Sequence, residues 1–274
     1  MIRDITFGQY YPAKSFIHGL DPRVKILCTL VFLVSLFIQR NILAYALATV
    51  FLGAVIISSK VPLKFILKGL RPIILLLFVT VGFNLFLTRG GELLVSFWIF
   101  SIYEDGLATA AFMGIRLIYL IIGSTIMTFT TTPNALTDGL ESLLKPWERL
   151  KVPVHEVAMM MSIALRFIPI LLEETDKIMK AQIARGADLD SGHIFQRAKA
   201  MVPILVPLFV SAFRRANDLA LAMEARCYHG GAGRTKMKPL TYRGRDMVAF
   251  GQMALYLAAV ILLGHVVRFH IWIF

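Results

Sequence analysis

Long apolar runs, separated by short basic clusters, set the terms on which this chain can fold. Crossing a bilayer takes about 20 predominantly apolar residues in a helix. Five stretches come near that length: Val24 to Ile38, Ile42 to Ile57 after the tight Gln39-Arg40-Asn41 turn, Pro72 to Leu87, Gly106 to Phe129, and Met247 to Val267. The first two are short, so they are expected to be extended or tilted, with polar flanks snorkelling to the interface. Composition agrees with the runs: 57% of the 274 residues are hydrophobic and 17% are charged, against about 25% charged in a soluble domain. The expected class is an all-α integral membrane protein, with about five transmembrane helices plus long cytoplasmic or interfacial helices.

The formal net charge is +12. Nucleic acid is one partner that such a charge could imply, but in membrane proteins Lys and Arg collect in cytoplasmic loops and set orientation. They collect that way here. The N-terminal segment holds Arg3, Lys14, Arg23 and Lys25, and the second loop holds Lys60, Lys64, Lys68 and Arg71. Most of the rest fall between Thr132 and Arg245, while the turn at Arg40, the loop from Arg89 to Asp105 and the tail after Arg268 are poor in basic residues. The distribution predicts a multi-pass membrane protein with a cytoplasmic N-terminus and the C-terminus outside. The start Met1-Ile2-Arg3-Asp4 is not read as a signal peptide, since the first apolar run begins only after Arg23 and has no small-residue cleavage site after it. Cys28 and Cys227 lie in different surroundings and form no disulfide or metal framework.

Three divisions follow: residues 1–131 with four spans, 132–245 as a cytoplasmic helical region, and 246–274 with the last span. Thr132-Pro133-Asn134 carries a helix-start signal, and Lys151-Val152-Pro153 breaks the first cytoplasmic helix. A second helix is predicted from about His155 to Ala184, closing at Gly186, and a third from about His193 to Ala225, before Gly230-Gly231. Their interiors are apolar, so a seven-span arrangement competes with helices lying at the inner membrane surface. The interfacial arrangement is preferred. Arg166 interrupts the first interior, and Glu173, Glu174 and Asp176 follow it; the second is short, holds Pro203 and Pro207, and is closed by Arg214 and Arg215.

No catalytic constellation is apparent. His18, His155, His193, His229, His265 and His270 are scattered, with no His-x-x-x-His or Glu-x-x-His pair. Gly230-Gly231-Ala232-Gly233-Arg234-Thr235-Lys236 lacks the Gly-Lys-Ser/Thr ending of a phosphate loop and reads as a linker. No cofactor is expected, and hydrolysis in any energised transport must come from a partner. Within the spans Asn84 and Arg116 are the main polar residues, without Asp or Glu. That weakens a stand-alone ion-driven carrier, which needs intramembrane ionisable groups.

One pattern in the polar region stands out. Ala184-Arg185-Gly186 and Ala225-Arg226-Cys227 close two similar helical segments, each with acidic residues upstream. A lone arginine near a helix end offsets the dipole and is unremarked. Two in matching settings suggest one contact made twice, on two similar partner surfaces. Small neighbours let a helix end approach a groove while a planar guanidinium reaches in and makes the directional bonds that lysine cannot.

At this point the chain resembles a known family, the transmembrane T component of energy-coupling factor vitamin transporters. The resemblance rests on Gly8-Gln9-Tyr10-Tyr11-Pro12, Ser15, His18, Leu20-Asp21-Pro22-Arg23 and Lys25, and on the paired tripeptides, the second being Ala-Arg-Cys rather than the commoner Ala-Arg-Gly. It implies a non-catalytic scaffold whose cytoplasmic coupling helices, in an X-like arrangement, place one arginine motif in each of two ABC-type ATPase subunits. It also implies one or more integral-membrane S components that bind the vitamin and are thought to topple to release it. On that reading Met159, Met160, Met161 and Met201 belong to an adaptable apolar platform. A cobalt- or nickel-dedicated T component remains the alternative, because substrate choice belongs to the S component.

Overall fold

The structure is a computed structural model, and it describes residues 10–39, 41–88, 90, 93–97, 100–187, 194–231 and 237–268. Gly8, Gln9, Arg40, His193, residues 232–236 and His270 lie outside the described residues. Nine α-helices are described: α1 Pro22–Ile38, α2 Ile42–Ser59, α3 Leu63–Leu70, α4 Ile74–Leu87, α5 Glu104–Thr130, α6 Pro133–Leu144, α7 Val154–Ala184, α8 Ile194–Glu224 and α9 Gly244–Arg268. The all-α expectation holds, with one addition. The loop between α4 and α5 contains a two-stranded antiparallel hairpin, β1 Leu93–Phe97 and β2 Phe100–Tyr103. Alternating Val, Ile, Phe and Tyr suit a pleated strand, and pairing satisfies backbone groups that a loop would leave to water.

Five described helical stretches are long and apolar enough to cross a membrane: Ile42–Ser59, Leu63–Leu87, Glu104–Thr130, Val154–Ala184 and Gly244–His265. The set differs from the expected five in two places. α1 falls short at 17 residues, although it runs packed along α5 and α9. α7 qualifies because the first 18 of its residues hold only Glu156 and Arg166 as charges. Leu63–Leu87 joins α3 to α4 through a 3₁₀ turn at Arg71–Ile73, so the third helical stretch begins with the basic helix α3, ahead of the expected start of the span at Pro72.

The chain divides into two compact units, 1–139 with 240–274, and 140–239. In the first, the core is Phe32, Leu36, Ala48, Leu52, Val61, Ile66, Ile126, Phe129, Met253, Tyr256 and Val260. Small residues at four-residue spacing mark the closest helix contacts, as expected where lipid removes the hydrophobic drive and packing must supply association. Ala44, Ala48 and Ala110 are buried, and Gly114 lies directly against Val81 of α4. Arg116 on α5 finds a phenol and a carbonyl rather than a carboxylate: Nε donates to the Tyr45 hydroxyl at 3.0 Å and Nη2 to the Gln39 carbonyl at 3.4 Å. This pins the α1–α2 turn to α5.

The N-terminal segment is folded onto the ends of three helices. Tyr11 N–H donates to the Phe129 carbonyl at 2.9 Å, and the buried Lys25 Nζ donates to the Thr130 carbonyl at 2.8 Å. Asp21 caps α1, its Oδ1 accepting from Arg23 N–H at 2.9 Å, the usual role of Asp ahead of Pro. Burial alone would raise the Asp21 carboxyl; hydrogen bonds and charge from Arg23 outweigh it and hold the group below the ordinary carboxylate range. Asp246 in the first turn of α9 is 1% exposed. One of its oxygens accepts from Arg243 N–H at 2.7 Å and the other from Asp21 N–H at 2.8 Å. A single carboxylate therefore starts α9 and clasps it to the start of α1.

Candidate functional site

In the second unit α7 and α8 lie antiparallel. Glu174 accepts from Arg215 at 3.0 Å and from the Ser211 hydroxyl. Gln182 donates to the Pro203 carbonyl at 3.2 Å, and Tyr228, just past α8, donates to Met159 Sδ at 3.2 Å. Between these, Ile163, Phe167 and Leu171 face Ala212, Ala216 and Ala220 around a small cleft. The resemblance implies an X-like arrangement, yet the contacts are strung along the pair rather than gathered at one crossing. The far end is fixed by His155, whose Nδ1 meets Glu141 at 3.0 Å, and Gly231 sits so close to that ring that no side chain fits there.

The two tripeptides end their helices in the same way, bond for bond. After α7, Gly186 N–H donates to the Ile183 carbonyl at 2.9 Å and Ala187 N–H to the Gln182 carbonyl at 3.0 Å. After α8, Cys227 N–H donates to the Glu224 carbonyl at 2.8 Å and Tyr228 N–H to the Met223 carbonyl at 3.0 Å. Both are Schellman caps, in which a left-handed residue turns the chain back to satisfy the last carbonyls. Gly186 takes that position with φ +87° and Cys227 with φ +53°. Arg185 and Arg226 therefore hold the same structural position, the last before the reversal. The departure from glycine at Cys227 leaves the termination unchanged.

All six tripeptide residues are exposed. Neither Arg185 nor Arg226 has an ion-pair partner among the described residues. Because the helices are antiparallel, the two caps sit at opposite ends of the pair. The residue of α7 alongside Arg226 is near Met161, roughly 24 residues from Arg185, or about 36 Å at about 1.5 Å per residue. Of the methionines, Met160, Met161 and Met201 are 57%, 43% and 54% exposed, whereas Met159 is engaged by Tyr228. Sequence reasoning missed Tyr228, Gln182 and the Glu174–Arg215 pair. Only a shared position after each arginine, Ala187 and Tyr228, hinted at the first.

The left-handed caps carry a stability expectation. Replacing Gly186 by Val forces a β-branched residue to positive φ and is expected to destabilise the end of α7 by about 1–3 kcal/mol. Replacing Cys227 by Gly relieves a left-handed side chain and is expected to gain about 1 kcal/mol. Hydrogen exchange over the last turns of α7 and α8 would report both, faster in the first variant and slower in the second.

The fold so far defines a multi-pass, predominantly helical membrane protein carrying a helical pair with two matched, exposed arginine ends. Comparison with known proteins gives the class a family. The family described as "Cobalt transport protein" matches residues 13–237. The energy-coupling factor transporter transmembrane protein of Clostridium kluyveri is 57% identical over 250 residues, covering 91% of this chain and 93% of its own. The proteins of the same name from Thermosediminibacter oceani and Bacillus subtilis are 54% and 49% identical over 249 and 246 residues, covering 91% and 90% of this chain and 94% and 93% of theirs. The chain belongs to the family of transmembrane components of energy-coupling factor transporters. It is a non-catalytic subunit of such a transporter complex.

Proposed function

We propose that this chain is the scaffold of an ATP-driven vitamin importer, joining two ABC-type ATPase subunits to one or more integral-membrane S components. The observation that carries the proposal is the pair of identical caps at opposite ends of α7 and α8, each presenting an exposed arginine. Two equivalent arginine ends about 36 Å apart suit two equivalent sockets on a pair of similar subunits. On this reading Ala184, Arg185 and Gly186 enter one ATPase, and Ala225, Arg226 and Cys227 the other. α7 and α8 lie at the cytoplasmic membrane surface, where Glu173, Glu174, Asp176, Lys177 and Lys180 would be solvated rather than buried in lipid. Closure of the ATPases would drive the arginine ends, and the exposed Met160, Met161 and Met201 would supply an adaptable surface for the S component. The N-terminus faces the cytoplasm of a prokaryotic cell and the C-terminus the outside, as the basic loops favour.

A cobalt- or nickel-dedicated transporter is the second reading, favoured by the description of the matching family. Affinity purification of the tagged chain from its native membrane in mild detergent, with mass spectrometry of what co-purifies, tests both. ATPase subunits with small hydrophobic proteins are the expected result, and the ligand of those small proteins separates vitamin from metal. A chain that emerges alone and still moves a solute after reconstitution would overturn the proposal for an ion-driven carrier.

A further inference from the structure

α3 and its flanks carry a pattern that scaffolding leaves unused. Lys60, Lys64, Lys68 and Arg71 recur every three or four residues, so the three on helical backbone share one arc of the surface. All four are exposed, and none is in an ion pair among the described residues. No Asp or Glu occurs anywhere from residue 42 to 88, so the stripe has no neutralising neighbour along its own stretch of chain. The opposite arc is held down. Ile66 is 2% exposed, and Gly69 lies against Thr125 of α5, too close for an unshifted side chain. Between the two arcs, Leu63 and Leu67 are exposed at 61% and 62%. The helix then continues through the turn at Arg71–Ile73 into the largely apolar, 14-residue α4.

We propose that the stripe is a binding site for the headgroups of anionic phospholipids. The chemistry is specific to a charged bilayer surface. Cations immediately beside a span attract anionic lipid over about a Debye length, and exposed leucines flanking a cationic arc are what an interfacial helix inserts among acyl chains. An acidic protein surface would match the charges but would leave Leu63 and Leu67 in water. Lys60 adds a fixed position: its left-handed backbone, φ +56°, ends α2 and turns the chain into the stripe.

The test uses the full chain reconstituted in vesicles of phosphatidylcholine alone or with phosphatidylglycerol. An amine-reactive label read by peptide mass spectrometry should modify Lys60, Lys64 and Lys68 several-fold more slowly in the phosphatidylglycerol vesicles. Lys177 and Lys180 serve as the internal reference. In detergent, the K60Q/K64Q/K68Q/R71Q variant should retain at least tenfold less phosphatidylglycerol than the parent, and the all-arginine variant K60R/K64R/K68R should retain it. Equal labelling in the two vesicles overturns the proposal, and it does so with the parent chain should the fourfold variant fail to fold. So does a fourfold variant that keeps its phosphatidylglycerol but loses co-purifying proteins, since the stripe would then be a protein contact.

Discussion

On the proposed coupling role, changing Arg185 and Arg226 together to glutamate is expected to abolish uptake and to release the proposed ATPase subunits during purification. Removing one partner of a desolvated charged contact costs about 2–5 kcal/mol. Each factor of ten is about 1.4 kcal/mol, so each socket would weaken by roughly 30-fold or more, and charge reversal adds repulsion. Either single variant leaves one end engaged and should retain part of the association. Arg→Lys at both sites should be intermediate, since lysine keeps the charge but loses the planar fork. Both side chains are exposed, so the thermal midpoint of the isolated chain should stay where it is. That separates a lost contact from a lost fold. Full uptake by the double glutamate variant would sink the coupling role.

Replacing Asp246 by Ala should have the largest effect on the fold itself. The side chain is 1% exposed and accepts two backbone N–H groups, from Asp21 and Arg243. Leaving a buried donor unsatisfied costs about 1–3 kcal/mol; the Asp21 bond is buried and the Arg243 bond part-buried, so a loss of about 2–4 kcal/mol is expected. A fall of several degrees or more in the unfolding midpoint in detergent is expected, with α9 exchanging its amides first. Asp246→Asn keeps one accepting oxygen and should lose less. Acid probes the neighbouring cap. The Asp21 carboxyl lies below its ordinary value of 3.8 when folded, so its contribution is fully present above that value and drains away as pH falls through the lower, folded one. Asp21→Asn should flatten this acid limb. An unchanged midpoint in Asp246→Ala would mean that the clasp is incidental.

The spans were legible because lipid permits little besides a helix, and apolar runs of the right length therefore translate almost directly into elements. The ends of α7 and α8 were legible for a different reason. Gly186 announces a left-handed cap by composition, and Cys227, which does not, was recoverable only through its parallel with Gly186. The pairing of Leu93–Phe97 with Phe100–Tyr103 is invisible to a count of charges, because its signal lies in β-branched and aromatic content rather than in the missing basic residues. α7 met the length and hydropathy of a span because its charges crowd into its second half, where a whole-helix reading of Glu173 to Lys180 weighs more heavily than a window ending at Leu171. The Asp21–Asp246 clasp and the alignment of Glu174 with Arg215 were beyond reach. Each depends on residues brought together by tertiary packing, the first pair 225 positions apart, and a single acidic residue in a first helical turn signals no more than its own helix.

The first compact unit is discontinuous, built from residues 1–139 and 240–274 with the second unit inserted between. This fixes an order of events at the ribosome. α1, α2 and α5 reach the membrane while Tyr256, Met253 and the Asp246 carboxylate are still unsynthesised, so Gln39, Ser35 and the Asp21 amide wait without the partners they hold in the finished protein. The inserted α7–α8 pair emerges entire before the unit that surrounds it in sequence can close. A chain cut short before α9 would carry both arginine ends yet lack the helix that completes its membrane core. Synthesis of the final helix is thus the step at which the membrane core of a nascent chain gains its last partners.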